Sequence, residues 1–426
     1  MKILVIGSGG REHALCWALG RATTTDCKII CAPGNAGIAL DAQCVAISAT
    51  DVEGLARFAE TERIDLTVVG GEATLAAGLA DEFERRGLLV AGALAEAARL
   101  ESSKAFAKDF MARQNIPTAR YRVAHSIEEG RRILLSGEFG ASAAPSVVKA
   151  DGLAAGKGVV VALSRSEALT AVEDLMSGAA VGAEAAQRIV IEEALSGREA
   201  SLLLFSDGRD YALMPAARDH KRIGENDTGP NTGGMGVVTD ASVLDDATLS
   251  IVAREVVEPT LAGAAVEGIP FRGVLFIGLM LTADGPRVLE YNVRFGDPEA
   301  QAILVRLRTN LVDICEALAR GRLGQLFVEW SDEASACVVL AARNYPARPE
   351  TGARIEGLER ASTHEAVRIF HAGTARGPNG EWLTAGGRVL GVTATGLDLE
   401  EALGRCYGTI SEIQWDGMQY RRDIGK

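Results

Sequence analysis

Short apolar runs alternate with amphipathic stretches through the first hundred residues. Residues 3–6, 28–31, 66–69 and 88–90 read as buried strands. The first three end in turn-forming loops: Gly7-Ser8-Gly9-Gly10, Pro33-Gly34-Asn35-Ala36-Gly37 and Gly70-Gly71-Glu72. Helices are expected between them, one from about Arg11 and one over residues 51–63, opened by the capping box Thr50-Asp51-Val52-Glu53. Regular strand–helix alternation predicts a doubly wound parallel sheet, with its loops gathered at the strand C-termini.

Further along, residues 103–115 read as a helix carrying Lys104 and Lys108 and stopped by Pro117. A small unit is expected from about Tyr121 to Leu195, with strands at 146–151 and 159–163, a helix at 166–176 and a strand at 188–191. Residues 274–282 and 287–293 flank the turn Ala283-Asp284-Gly285-Pro286 and predict a hairpin, followed by a helix after Pro298. From about Trp330 the texture changes to strands at 337–342, 366–371 and 388–393 and a helix at 398–413. Three domains are therefore expected, at 1–103, 104–325 with a lid over about 121–195, and 326–426. The overall class is mixed α/β and α+β. There is no internal repeat and no low-complexity tract.

Composition changes this picture little. The 426 residues are 47% hydrophobic and 24% charged, ordinary for a globular protein, but the net charge of -13 argues against nucleic acid or an anionic membrane as the main partner. Local basic loops still leave room for an anionic small substrate. The seven cysteines form no Cys-x-x-Cys pair, which suits reduced thiols and no zinc site. Met1 leads straight into a strand, and no apolar run approaches membrane-spanning length, so a cytoplasmic location is expected.

The strand at 287–293 carries the most suggestive chemistry. Alternation puts Leu289, Tyr291 and Val293 on one face and Glu290, Asn292 and Arg294 on the other. A carboxylate, an amide oxygen and a guanidinium in one row suit a magnesium–phosphate centre, because magnesium takes few oxygen ligands from protein. A solvated sheet face is the plain alternative. The N-terminal glycine loop is not a dinucleotide fingerprint, since Glu12 stands where glycine is needed. It suits an anion at a helix start, or simple turn chemistry. The loop Gly152-Leu153-Ala154-Ala155-Gly156-Lys157-Gly158, preceded by Lys149, can fold over a polyphosphate, although its spacing is not that of a P-loop. The linker Glu192-Glu193-Ala194-Leu195 and the later Glu199 can meet a nucleoside, or form a solvated acidic turn. Asp219-His220-Lys221-Arg222 and Thr228-Gly229-Pro230-Asn231-Thr232-Gly233-Gly234-Met235-Gly236 make a long polar loop of the kind compact domains keep for function. His13, His125, His364 and His371 have no metal-binding spacing.

Together with Gly7 to Ala14, Arg294-Phe-Gly-Asp-Pro-Glu299, Phe370 to Thr374 and Gly386-Gly387-Arg388-Val389, these segments resemble the ATP-grasp ligases. Within them, the resemblance is to the glycinamide ribonucleotide synthetase family, over essentially the whole chain. It implies an ATP-grasp fold and an ADP-forming carbon–nitrogen ligase of purine biosynthesis. ATP would phosphorylate glycine, and the amine of 5-phosphoribosylamine would attack the glycyl phosphate. Implied cofactors are ATP with Mg2+ or Mn2+. Glu290 and Asn292 resemble the metal ligands, Arg294 and Asp297 the catalytic contacts, and Lys104, Lys149, Gly152, Gly156, Lys157 and Gly158 the phosphate contacts. Glu192, Glu193, Ala194 and Leu195 resemble the adenine linker, and Glu199 the ribose carboxylate. Substrate contacts are expected at Gly9, Gly10, Glu12, Asn35, Glu72, Asp219, Lys221, Arg222, Asn231, Thr232, Gly233, Glu299 and Arg388. Gly71 and Arg218 depart from the family pattern, which has Pro and Gln there. The partners implied are glycine and phosphoribosylamine, with no nucleic acid or membrane, and the chain is expected as a monomer or weak dimer. Another ATP-grasp ribonucleotide ligase or carboxylase is the alternative, and the loop from Asp219 to Gly236 argues against it.

Overall fold

Ile3, Leu4, Val5 and Ile6 are all fully buried, as a strand covered on both faces requires. Their strand, Lys2–Gly7, lies at the centre of a five-stranded parallel sheet in the computed structural model, which describes residues 1–21, 27–141, 143–154, 158–179, 181–183 and 185–426. The strands run in the order Gln43–Cys44, Lys28–Pro33, Lys2–Gly7, Leu66–Val69, Val90–Ala91. The expected doubly wound sheet is present. Its direction of winding reverses at Lys2–Gly7, and the loops after the three middle strands meet there. The two-residue strand Gln43–Cys44 had no apolar run to announce it. The helix Val52–Glu62 is capped by Asp51 rather than by the expected capping box: the Asp51 carboxylate accepts from the Gly54 N–H at 2.9 Å. Glu53 is instead drawn outward to Arg86 and Arg57.

The middle of the chain builds two antiparallel sheets of four strands. One runs Tyr211–Leu213, Arg198–Asp207, Arg272–Thr282, Gly285–Asn292. The other, Tyr121–Ala124, Ile189–Glu193, Ser146–Ala150, Val159–Ala162, carries the helices Ile127–Leu135 and Arg165–Met176 on a core of its own that includes Val148, Val172 and Ile191. By contrast, Phe205, Phe276 and Phe295 share one core with Ile3, Val5 and Leu15, so the first sheet and the N-terminal sheet are packed together. The C-terminal strands Ala334–Ala341, Arg388–Gly396 and Val367–His371 form a third antiparallel unit under the helix Leu399–Ile410. That sheet also takes Arg218–Asp219 and Gly236–Thr239, so the long polar loop is anchored at both ends on the C-terminal sheet. No helix among the described residues is long and apolar enough to cross a membrane.

The hairpin Arg272–Thr282 and Gly285–Asn292 departs from simple alternation. Glu290 lies opposite Gly278 but Val288 lies opposite Leu279, so Leu289 is an extra residue in its strand. Val288, not Leu289, joins Tyr291 and Val293 in the core. The bulge leaves Glu290, Asn292 and Arg294 on one side as expected, and it turns the Leu289 carbonyl toward the lid.

Candidate functional site

Gly278 leaves open the space beside Glu290, since a Cβ there would stand 3.2 Å from the Glu290 Cγ. Four cations face this carboxylate. Burial pushes the Glu290 carboxyl up, but Lys221, Lys149, Lys104 and Arg294 outweigh it and hold it below the usual range, so Glu290 is ionised. Lys221 Nζ lies 3.1 Å from Glu199 Oε2 and 3.9 Å from Glu290 Oε1. Lys149 Nζ donates to the Leu289 carbonyl at 3.1 Å and pairs with Glu192 Oε1 at 2.9 Å. Lys104 Nζ donates to the Gly152 carbonyl at 3.0 Å and has no carboxylate partner among the described residues. Burial lowers its pKa.

Arg294 is tied from several directions. It reaches Glu101 at 2.9 Å, Glu72 at 3.2 Å and the Asn292 Oδ1 at 3.1 Å. Glu101 in turn accepts from the Val293 N–H at 2.8 Å, so the row at 290–294 is pinned by an acid on a neighbouring helix. Arg11 joins the same cluster through Glu72 at 4.0 Å and the Phe295 carbonyl at 3.1 Å.

On the other side lies a group of acids. Asp297 pairs with Arg388 at 3.1 Å and accepts from Gln301 at 2.8 Å. Burial raises its carboxyl, but Arg388 and Arg11 reverse this and hold it low. Arg388 also donates to the Asp297 carbonyl at 2.7 Å and to that of Gly233, joining the C-terminal sheet to the polar loop. Asp219 behaves oppositely: burial and then Glu299 push its carboxyl well up, and its Oδ1 is buried with no hydrogen-bond partner among the described residues. Burial also raises Glu299, against its own backbone N–H, Arg294 and Lys221. Two facing carboxyls whose ionised forms are disfavoured by burial and by each other are receptive to a cation.

The remaining expected residues fall as follows. The Glu12 carboxylate is buried, accepts from the Gly9 N–H at 2.6 Å, pairs with Arg11 at 2.6 Å and fills the space that Gly7 and Gly70 leave open. Gly10 faces Gln301. Asn35 spends its side chain on the Ser8 and His371 carbonyls and the N–H groups of Gly37 and Ile38. Thr232 is bonded to the Lys221 carbonyl at 2.8 Å, and Arg222 and Asn231 pair across a short hairpin. Glu192 is 1% exposed and points at Lys149 and Lys108, while Glu193 pairs with Arg120. Ala194 and Leu195 follow as the linker out of the lid strand, Gly158 closes the strand turn by accepting from the Ala150 N–H, and Gly156 and Lys157 lie outside the described residues. Arg218 donates to the Gly425 carbonyl at 2.6 Å, away from the acids. Glu101, Lys108 and Gln301 were missed from the sequence. Only the i, i+4 spacing of Lys104 and Lys108 could have flagged one of them. Among the described residues no group of three or more His, Cys, Asp or Glu is arranged to hold a metal. A hard cation that keeps water and phosphate ligands needs fewer, and an ionised Glu290 with the Asn292 amide oxygen fits that demand.

A doubly wound domain, a small four-stranded unit with its own core and a cation-ringed carboxylate on a hairpin agree with the ATP-grasp class. Structures only distantly related in sequence share this architecture, such as the Campylobacter jejuni biotin carboxylase solved with β,γ-ATP (TM-score 0.74, 15% identity, 98% of this chain and 92% of that one). Residues 1–101, 102–300 and 335–426 match the N, ATP-grasp (A) and C domains of phosphoribosylglycinamide synthetase, and the chain belongs to that family. It is similar to the phosphoribosylamine–glycine ligase of Xanthomonas axonopodis pv. citri, 48% identical over 428 residues that cover 100% of this chain and 97% of that protein. It is also similar to the crystal structure of the Thermotoga maritima phosphoribosylamine–glycine ligase, with a TM-score of 0.85 and 35% identity over 100% of both chains.

Proposed function

We propose that the chain joins glycine to 5-phosphoribosylamine at the expense of ATP, giving glycinamide ribonucleotide, ADP and phosphate in purine biosynthesis. The observation that carries this reading is the ionised Glu290 within its ring of Lys104, Lys149, Lys221 and Arg294. In that ring Lys104 and Lys149 meet the ATP phosphates beside Gly152, whose carbonyl Lys104 holds. The backbone of the linker from Glu192 to Leu195 faces the adenine. Glu199 serves the ribose while it holds Lys221. Glu290 and Asn292 would hold Mg2+ or Mn2+, which supplies further charge neutralisation on the phosphates.

The glycine ammonium settles between Asp219 and Glu299, whose carboxyls burial pushes up and whose mutual repulsion a cation relieves. This leaves the glycine carboxylate turned toward Lys221 and Arg294, where the γ-phosphoryl group arrives. Positioning and charge neutralisation suffice, with no protein nucleophile. Arg294 steadies charge on the transferring group. Asp297, with Arg388, orders the segment that the attacking amine must pass. The ribose phosphate lies between Arg388 and the N-terminal loops at Gly9, Gly10, Asn35 and Glu72. The domain division near residues 103 and 325, a cytoplasmic site of action and a monomer or weak dimer complete the proposal. ADP release measured with ATP and metal, adding glycine and freshly made phosphoribosylamine in turn, tests it. Release that does not depend on glycine overturns it.

A further inference from the structure

Behind the cation ring lies a buried chain of charges that phosphate binding does not by itself explain. Lys108 is 2% exposed and sits one helical turn beyond Lys104 on the same face of the helix. Its ammonium pairs with Glu192 Oε2 at 3.0 Å, while Lys149 holds the other oxygen, Oε1, at 2.9 Å. It also donates to the Thr118 hydroxyl at 2.7 Å, and that hydroxyl donates to the Val288 carbonyl at 2.6 Å. Lys149 takes the next carbonyl, Leu289, at 3.1 Å. Two ammonium groups on one carboxylate therefore hold two successive carbonyls of the bulge that precedes Glu290.

We propose that Lys108 is a positioning residue. It is the standing counter-ion of Glu192, and this leaves Lys149 free to turn to a nucleotide phosphate. A buried carboxylate with a single cationic partner does not release it, because a buried charge left alone is costly. With Lys108 in place, Glu192 stays paired whichever way Lys149 points. Burial lowers the Lys108 pKa to about 8, and Glu192 opposes that lowering.

The inference rests on reading Lys149 as a phosphate contact, and Lys149→Met tests that reading alone: an unchanged KM for ATP would remove it, whatever Lys108 does. Lys108→Met, close in shape and without charge, tests the inference. Glu192 then holds Lys149 to itself, so the KM for ATP rises about tenfold or more, while those for glycine and phosphoribosylamine stay within about threefold. Adding Glu192→Gln removes the stranded charge and keeps the linker backbone. The double variant Lys108→Met/Glu192→Gln brings the KM for ATP back to within about threefold of the parent. Additive losses in the double variant, a uniform rise in all three constants, or an unchanged KM for ATP in Lys108→Met overturns the proposal. If Lys108→Met does not fold, the double variant, which buries no unmatched charge, decides by the same threefold limit. A double variant that also fails to fold assigns Lys108 to the fold alone and overturns the proposal equally.

Discussion

Asp219→Asn should make the protein more stable and a worse enzyme. Asp219 and Glu299 are both pushed up by burial, Glu299 repels Asp219, and the Asp219 Oδ1 has no donor among the described residues. An asparagine keeps the shape, removes the repulsion and offers Glu299 an N–H. Relieving one unsatisfied buried polar atom contributes about 1–3 kcal/mol. For a cooperative unit of about 150–250 residues each kcal/mol is worth about 2–4 °C in Tm. The pH dependence has a definite sign. A carboxyl raised by folding holds its proton in the native state after the unfolded chain has lost it, so stability falls as pH rises from about 4 through the raised native value. The asparagine variant escapes that loss. Its advantage over the parent is therefore small near pH 4 and larger at pH 8.

The catalytic side of the same change runs the other way. Losing a charged partner to the glycine ammonium costs about 2–3 kcal/mol, or about 30–150-fold in the KM for glycine. The KM for ATP, which is set on the other side of Glu290, stays close to the parent value. Thermal melts at pH 4 and pH 8 and steady-state kinetics with glycine and ATP varied in turn provide the check. A variant less stable than the parent at pH 8, or one with an unchanged KM for glycine, refutes the reasoning that this acid pair awaits a cation.

Three further outcomes are expected. Glu290→Gln, which keeps shape and removes the ionised ligand, lowers kcat about 10²–10³-fold with the circular dichroism spectrum unchanged, and near-normal turnover at ordinary magnesium would remove Glu290 from the metal site. Arg388→Ala frees Asp297 and the Gly233 carbonyl and raises the KM for phosphoribosylamine about 30-fold or more; an effect confined to ATP would place the ribose phosphate elsewhere. Gly70→Ala puts a Cβ 2.1 Å from the Glu12 Oε1 and so displaces that carboxylate; denaturant melts should show a loss of about 1–3 kcal/mol, and unchanged stability would mean that Glu12 is not seated in the glycine pocket.

The N-terminal sheet was legible because a parallel strand buried on both faces must be largely apolar: residues 3–6 are wholly so, and residues 66–69 admit only Thr67. Gln43–Cys44 was not, because an edge strand of two residues pairs through its backbone and asks little of its side chains. The bulge at Leu289 was invisible for a different reason. Alternation assumes one residue per step of the pleat, and what adds the extra residue here is bonding to Lys149 and Thr118, 140 and 170 positions distant. Glu12 shows the same limit. The loop Gly7 to Gly10 reads as a seat for an anion or as simple turn chemistry, yet it is the chain's own Glu12 carboxylate that lies against Gly7, Gly9 and Gly70.

Net charge misled least where it was used least. The chain carries -13 overall, yet around the site nearly every acid has its own base: Arg11 with Glu12, Arg294 with Glu72 and Glu101, Arg388 with Asp297, Lys221 with Glu199, and Lys108 and Lys149 with Glu192. Among the described residues two sets of charge are left over. Lys104 holds only a carbonyl, and Asp219 and Glu299 face each other. Buried charges left in this way cost stability unless a ligand of opposite sign completes them. The cation remains where the phosphates of ATP are proposed to lie, and the acids remain where an ammonium is. In the proposed placement a zwitterionic substrate sets its amine toward these acids and its carboxylate toward Lys221 and Arg294. The proposed placement predicts that a simple amine or a simple carboxylate alone binds far more weakly than the amino acid.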